Sequence, residues 1–390
     1  MKISTKLTEQ EKKAFAPELT KGLALDYFYA HNNAPLNFAY GDGFGTGVDY
    51  GVLTDEEARN KVLFEDLWLT AYNHYCVGEL YFPFLYLDVQ VLQSPLQTYY
   101  YEGLLNKPMR DAQTQKYATL DECVAAFREK MEAVGSDFYE KGRNGTPGFE
   151  FAILLGSPDR TTRLVNVMPV GNQVIFESIL TWSEDGVVKE TAYSTCVVYG
   201  KDGLVTQDRS YMDMKNWPAH CADWFYKCGF PKRDPALGQE KGYAKDVYAF
   251  SKANIVEENQ MTEVEARNRA VAETAWAKSA NDFDRSIYHA DRFRMHLPMQ
   301  KISYSLDYAE KIAREIKAAV PSAENEILLT AAKGNQVVVE SLKSWTDANG
   351  VYREIPYIIW LLFDADGKII RERSYFDANY WPGGEIIQAL

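Results

Sequence analysis

The chain has 390 residues, too many for one hydrophobic core and suited to two or three domains. Its 42 Lys and Arg against 55 Asp and Glu give a formal net charge of −13, with no basic stripe to offset it, which excludes nucleic-acid phosphates and anionic membranes as partners. The hydrophobic share of 46% is that of a soluble globular protein, and the aromatic share of 14% is high, favouring large flat apolar surfaces in cores or in a ligand pocket.

Residues 1–51 open the chain. The stretch MKISTKLTEQEKK has no apolar run, so no signal peptide is expected. A Gly-rich segment, Gly41-Asp42-Gly43-Phe44-Gly45-Thr46-Gly47, lacks the preceding strand, the G-x-G-x-x-G spacing and the lysine of a phosphate loop, and is read as a flexible loop or lid.

The first predicted helix starts at Thr54, with Glu57 three residues on, which is capping-box chemistry, and runs through Arg59, Asn60 and Trp68. Aromatic residues follow at Tyr81, Phe82, Phe84, Tyr86 and Tyr99-Tyr100-Tyr101, either lining a pocket or packing one half on the other. A second helix is predicted around Leu120-Asp121 and Arg128-Glu129. Next comes a Gly171-Asn172 turn feeding a strand with Glu177 and Trp182, then a strand over 191–199. An Asp202-Gly203 hairpin leads to Arg209-Ser210-Tyr211, Asp213 and Trp217-Pro218.

The same series then recurs in order. Thr262, Glu265, Arg267, Asn268 and Trp276 repeat the first helix. Leu306-Asp307 with Arg314-Glu315 repeats the second. Gly334-Asn335 with Glu340 and Trp345 repeats the turn and strand, residues 355–363 the next strand, and Asp366-Gly367, Arg373-Ser374-Tyr375, Asp377 and Trp381-Pro382 the last hairpin. The chain is therefore expected to be a tandem duplication, with an extension at 1–51, units at 52–230 and 240–390, and a proline-bearing linker at 231–239. Helices followed by consecutive strands make each unit α+β.

These closing motifs, an Asp-Gly hairpin, Arg-Ser-Tyr-x-Asp and Trp-Pro, resemble the final hairpin of SnoaL-like polyketide cyclases and their NTF2-like relatives. Asn281 to Arg285, followed by Asp291 to Pro298, is similar to that family's helix turn and first strand. The resemblance implies two NTF2-like cones, each a curved antiparallel sheet on N-terminal helices around an apolar pocket, paired as an intramolecular pseudo-dimer or in a further homo-oligomer. Relatives include cofactor-free cyclases, ketosteroid isomerases, dehydratases and epoxide hydrolases, and also non-enzymatic transport factors, so the fold alone does not choose an activity. The isomerases' aspartate before the strand-ending proline is replaced by Leu297 in the second half and at about Val89 in the first, with His296 and Asp88 one step away. The isomerases' helix tyrosine falls at Trp276 or Trp68, and the dehydratases' helix-end aspartate at Asn281 or Ser279.

Proton transfer in a dry pocket needs ionisable groups shifted by burial. Tyr211 with Asp213, and Tyr375 with Asp377, alternate with Arg209 and Arg373, and form either proton-transfer pairs or arginine–carboxylate closures of the strand end. Glu177 and Glu340 sit between apolar neighbours, as general acids or as partners of those arginines. His296 and Asp291, with His289, occur only in the second half, at a spacing that matches no metal-ligand pattern. Trp68, Tyr72, Asn73, Trp276, Asn281, Trp182 and Trp345 are the expected substrate contacts. The scattered Cys76, Cys123, Cys196, Cys221 and Cys228 suggest neither a disulfide framework nor a zinc site. The expectation is a cytoplasmic, cofactor-free and metal-free lyase or isomerase for a small apolar, aromatic or polycyclic molecule. The alternative is a non-catalytic binding or scaffold protein. An enzyme would show a cavity of roughly several hundred cubic ångströms with convergent polar groups.

Overall fold

The computed structural model describes residues 47–64, 86–94, 97–102, 161–201, 205–219, 252, 255, 261–277, 282–299, 302–378 and 381–382. In chain order the elements are helix α1 (Asp55–Leu63), strands β1 (Tyr86–Ser94), β2 (Gln97–Glu102), β3 (Thr161–Val170), β4 (Gln173–Glu184), β5 (Val187–Tyr199) and β6 (Val205–Tyr211), and helix α2 (Glu263–Ala277). Strands β7 (Arg294–Leu297) and β8 (Ile302–Tyr304), helix α3 (Leu306–Ala319) and strands β9 (Glu324–Lys333), β10 (Gln336–Thr346), β11 (Tyr352–Phe363) and β12 (Ile369–Tyr375) complete the series. The architecture is α+β.

The strands make two six-stranded sheets, ordered β2-β1-β6-β5-β4-β3 and β8-β7-β12-β11-β10-β9. In each, four consecutive strands form an antiparallel meander, and a short hairpin docks in parallel on the last of them, β1 on β6 and β7 on β12. The meanders follow from turn chemistry. Gly171 and Gly334 stand at φ of 56° and 58° as the first residue of two-residue hairpins, a conformation glycine adopts without strain. Asp185-Gly186, both at positive φ, turns β4 into β5.

The repeated helix motif has a physical explanation. Thr54 caps α1 by accepting from the Glu57 amide, while Glu57 accepts from the Thr54 amide at 2.8 Å and, with its other oxygen, from the Gly171 amide at 3.0 Å. Glu265 does the same for α2, accepting from Thr262 N at 2.8 Å and Gly334 N at 2.7 Å. One carboxylate thus satisfies a helix terminus and ties it to a hairpin turn. Glu57 also pairs with Lys333 of β9 at 2.8 Å, linking the two sheets' surroundings.

Strand periodicity divides each sheet into two faces. Ile175, Ile179, Cys196 and Tyr211 of the first sheet pack against Val338, Leu342, Ile358, Trp360 and Tyr375 of the second in one shared core. The alternate residues of the second sheet, among them Val337, Val339, Tyr357, Ile359 and Leu361, pack on Ala272 and Trp276 of α2 and Leu306, Ala309 and Ile312 of α3. No helix of the described residues is long and apolar enough to cross a membrane.

Candidate functional site

The residues singled out by the repeated Arg-Ser-Tyr-x-Asp motif lie in the core between the sheets. Arg373 donates to both oxygens of Glu177, at 2.6 and 2.5 Å, and Tyr375 donates to the same carboxylate at 2.7 Å. The partner arrangement has Arg209 donating to Glu340 at 2.8 and 2.7 Å, and Tyr211 also donating to Glu340. Each half supplies the carboxylate for the other half's arginine and tyrosine. All six side chains are buried. Asn166 joins the network, donating to Glu177 at 2.9 Å and to Gln336 at 2.7 Å, and Trp360 donates to Ser194 at 2.9 Å. The negative carboxylates raise the already high Arg209 and Arg373 pKa values despite the opposing cost of burial. A buried, charge-matched network of this kind holds two sheets in register.

The other expected residues are dispersed. Asp213 is buried and accepts from Asn216 Nδ2 at 2.9 Å and Lys215 N at 3.2 Å, closing a 3-10 turn. Asp377 is buried beyond the end of β12. His296 is buried on β7 in register with Arg373, while its neighbours Met295 and Leu297 face the helices. His289 accepts from the Asp291 and Arg292 amides, and Asp291 is exposed, so these three do not converge. Trp182 donates to Glu184 at 3.0 Å, and Trp345 packs with Ala323 and Ile355. Trp68, Tyr72, Asn73 and Asn281 lie outside the described residues, as do the 41–46 part of the Gly-rich segment and the Asp202-Gly203 turn. Among the described residues, Trp276 of the expected contacts lines the cavity described next.

That cavity, about 170 Å³, lies between the second sheet and helices α2 and α3, smaller than the size expected of an enzyme pocket. Its walls are apolar, with Trp276, Met295, Leu297, Ile312, Ile359 and Phe376. Polar side chains also line it, among them Glu372 and Ser374 of β12, Lys343 of β10, Asn325 of β9 and Tyr288, which follows a 3-10 turn. Tyr288 donates to Glu372 Oε2 at 3.4 Å. Burial raises the Glu372 carboxyl to about 7, against the lowering contacts of Ser374 and Tyr288. Burial alone pushes the Lys343 amine down to about 7. Its Nζ stands 4.9 Å from the centre of the Trp381 ring and 5.7 Å from that of Tyr357. Those aromatic faces favour the ammonium and oppose the downward push. Trp381 itself stacks on Phe376 at 4.0 Å and meets Tyr357 edge-on at 4.9 Å. Burial also drives the Tyr288 and Tyr357 phenols well up, keeping both protonated.

Sequence reasoning missed Glu372, Lys343 and Tyr288. One signal was present: at the repeat position of Lys343 the first half has Leu180, which is fully buried. A second, wider crevice of about 550 Å³ borders Gly171 and Gly334, but on its walls Glu265 is occupied in capping α2, Asp49 accepts from the Gly51 amide and Lys333 is in the ion pair with Glu57.

Neither a protein-family model nor a curated protein sequence matches the chain. Solved structures do match part of it. A protein described as a SnoaL-like polyketide cyclase from Jannaschia sp. CCS1 is 16% identical, with a TM-score of 0.27, covering 30% of this chain and 90% of its own. A protein of ketosteroid isomerase-like fold from Catenulispora acidiphila, solved with trimethylamine, is 12% identical with a TM-score of 0.26, covering 31% and 90%. A de novo designed protein with a curved β-sheet is 18% identical with a TM-score of 0.26, covering 33% and 98%. Each match spans about a third of the chain.

Proposed function

We propose that the C-terminal unit is an acid–base site, a cofactor-free lyase or isomerase that shifts a proton on a small apolar molecule. The observation that carries this reading is Glu372: a carboxyl raised to about 7, held by a tyrosine and facing an apolar cavity. A group that exchanges protons near neutrality in a dry site is suited to general acid–base work. Glu372 takes or returns the proton, Tyr288 orients it, and Trp276, Phe376 and Trp381 shape the cavity. A volume of about 170 Å³ suits a single ring more than a polycyclic substrate, since an apolar cavity of about 150 Å³ holds benzene.

The same reading takes the chain as two NTF2-like cones in tandem, with an extension at 1–51, units at 52–230 and 240–390 and a linker at 231–239. The equal strand orders and the reciprocal Glu177–Arg373 and Glu340–Arg209 pairs support it. In this reading the N-terminal unit serves as a packing partner, with Leu180 where the second unit has Lys343 and with Phe64 and Phe176 filling its apolar interior. The test is hydrogen–deuterium exchange at carbon on a panel of single-ring ketones and enones, followed by NMR, with wild type and Glu372→Gln. Exchange by the wild type and its loss in the variant is expected. Exchange by the wild type no faster than in buffer sinks the acid–base reading in favour of a non-catalytic binding protein, and equal protein-dependent exchange in both takes Glu372 out of the chemistry.

A further inference from the structure

Lys343 is an unusual residue for its place. Its side chain is 5% exposed and lines the cavity, and it has no carboxylate partner and no hydrogen bond among the described residues. Its only described support is the two aromatic faces of Tyr357 and Trp381. The sheet does not need an amine there, because Leu180 fills the matching position of β4. Across the β9–β10 pair, Asn325 stands in register with Lys343, lines the same cavity and has a buried Oδ1 without a hydrogen-bond partner. The cavity therefore presents an unpaired nitrogen, an unpaired acceptor and a carboxyl, Glu372, within apolar and aromatic walls.

We propose that Lys343 forms an imine with a small aromatic aldehyde or ketone. The Nζ lone pair adds to the carbonyl carbon, the carbonyl oxygen takes a proton from Glu372, and the Glu372 carboxylate takes one back from the nitrogen to give a carbinolamine. Its hydroxyl then leaves as water with a second proton from Glu372, while the nitrogen lone pair forms the C=N bond. Amine, carbonyl and one proton from Glu372 become protonated imine and water, with no oxidant or reductant involved. Asn325 Oδ1 accepts the N–H of the protonated imine, and the Trp381 and Tyr357 faces stabilise its positive charge. Desolvated lysines in apolar pockets are the ones that do this chemistry at neutral pH, because their amine is uncharged there. At pH 7 an amine near 7 has on the order of a thousandfold more neutral form than an exposed lysine at 10.5. The inference uses the cavity of the acid–base reading but does not require Glu372 to move a carbon-bound proton, so either can fail alone.

The test is reductive trapping on the full chain. Wild type, Lys343→Leu and Glu372→Gln are incubated at pH 7 with benzaldehyde and cyanoborohydride, and in parallel with formaldehyde, and each lysine is quantified by peptide mass spectrometry. Lys343 should gain a benzyl group at least about tenfold faster than the exposed Lys311, with the advantage fading as pH rises toward 10.5. Glu372→Gln should slow trapping at Lys343 and leave Lys311 unchanged. Lys343→Leu should fold, by circular dichroism, and lose the fast site. Labelling of Lys343 no faster than Lys311 by either aldehyde overturns the proposal. Fast labelling by formaldehyde but not by benzaldehyde overturns the aromatic ligand class.

Discussion

Arg373 and Glu177 lie 196 positions apart in the chain and meet in a two-pronged ion pair with neither side chain more than 2% exposed. Arg209 and Glu340 repeat the contact in the opposite sense. The four charges sit in the apolar layer between the sheets, so each depends on its partner for the solvation that water no longer provides.

Removing one partner should therefore be worse than removing both. Arg373→Met leaves Glu177 buried with Tyr375 and Asn166 alone and should cost about 3–5 kcal/mol in urea unfolding. The double variant Arg373→Met with Glu177→Leu should recover much of that loss. A single variant as stable as wild type would show that the pair contributes nothing to holding the sheets together.

Glu372 makes stability fall with pH. Its folded value near 7 lies above its unfolded value near 4.5, so the folded state holds the proton more tightly, and that advantage is complete below 4.5 and gone above 7. Relative to wild type, Glu372→Gln should be near neutral at pH 4 and stabilising by about 3 kcal/mol at pH 8. Chemical denaturation at the two pH values measures the difference, and a variant effect independent of pH would contradict the buried-carboxyl assignment.

Lys343 acts with the opposite sign. Its folded value near 7 lies below its unfolded value near 10.5, so the cost of the buried charge is complete below pH 7 and relieved as pH rises to 10.5. Lys343→Leu should stabilise by about 3 kcal/mol at pH 6, less than the full shift implies because the Trp381 and Tyr357 faces offset part of the burial. The gain should shrink at pH 10, which thermal melts at both pH values would reveal.

Tyr288→Phe removes a hydrogen bond that lowers the Glu372 value, so Glu372 should titrate higher still. The limb of the exchange-rate profile that reports its ionisation should move to higher pH. An unmoved limb would take Tyr288 out of the site.

At Gly334 a β-carbon would stand 1.8 Å from the backbone oxygen of Asp49, and φ is +58°. Gly334→Ala should cost about 1–3 kcal/mol and loosen the contact of residues 47–49 with Asn335, which limited proteolysis near residue 50 would detect.

The α+β class, the turns at Gly171 and Gly334 and the capped helices at Thr54 and Thr262 were legible in the sequence because each depends on chemistry within a few residues. So was the reading of Glu177 and Glu340 as arginine partners, though not that each glutamate would find its arginine on the other sheet. The cavity was not legible. In Arg-Glu-Arg-Ser-Tyr, residues 371–375, the repeated Arg373 and Tyr375 drew attention, yet Glu372 and Ser374 between them carry the candidate chemistry.

A strand sends successive side chains to opposite faces, and which face meets a partner sheet and which meets a helix depends on packing between residues far apart in the chain. The sequence by itself determined the capped helices at Thr54 and Thr262, the glycine turns and the strands they feed, because caps, turns and alternation are local. Only the tertiary structure decided that Arg373 points to the sheet interface and Glu372 to the cavity. Burial sets whether a carboxylate is matched by an arginine or left to hold a proton near neutrality, and burial is fixed by the packed whole.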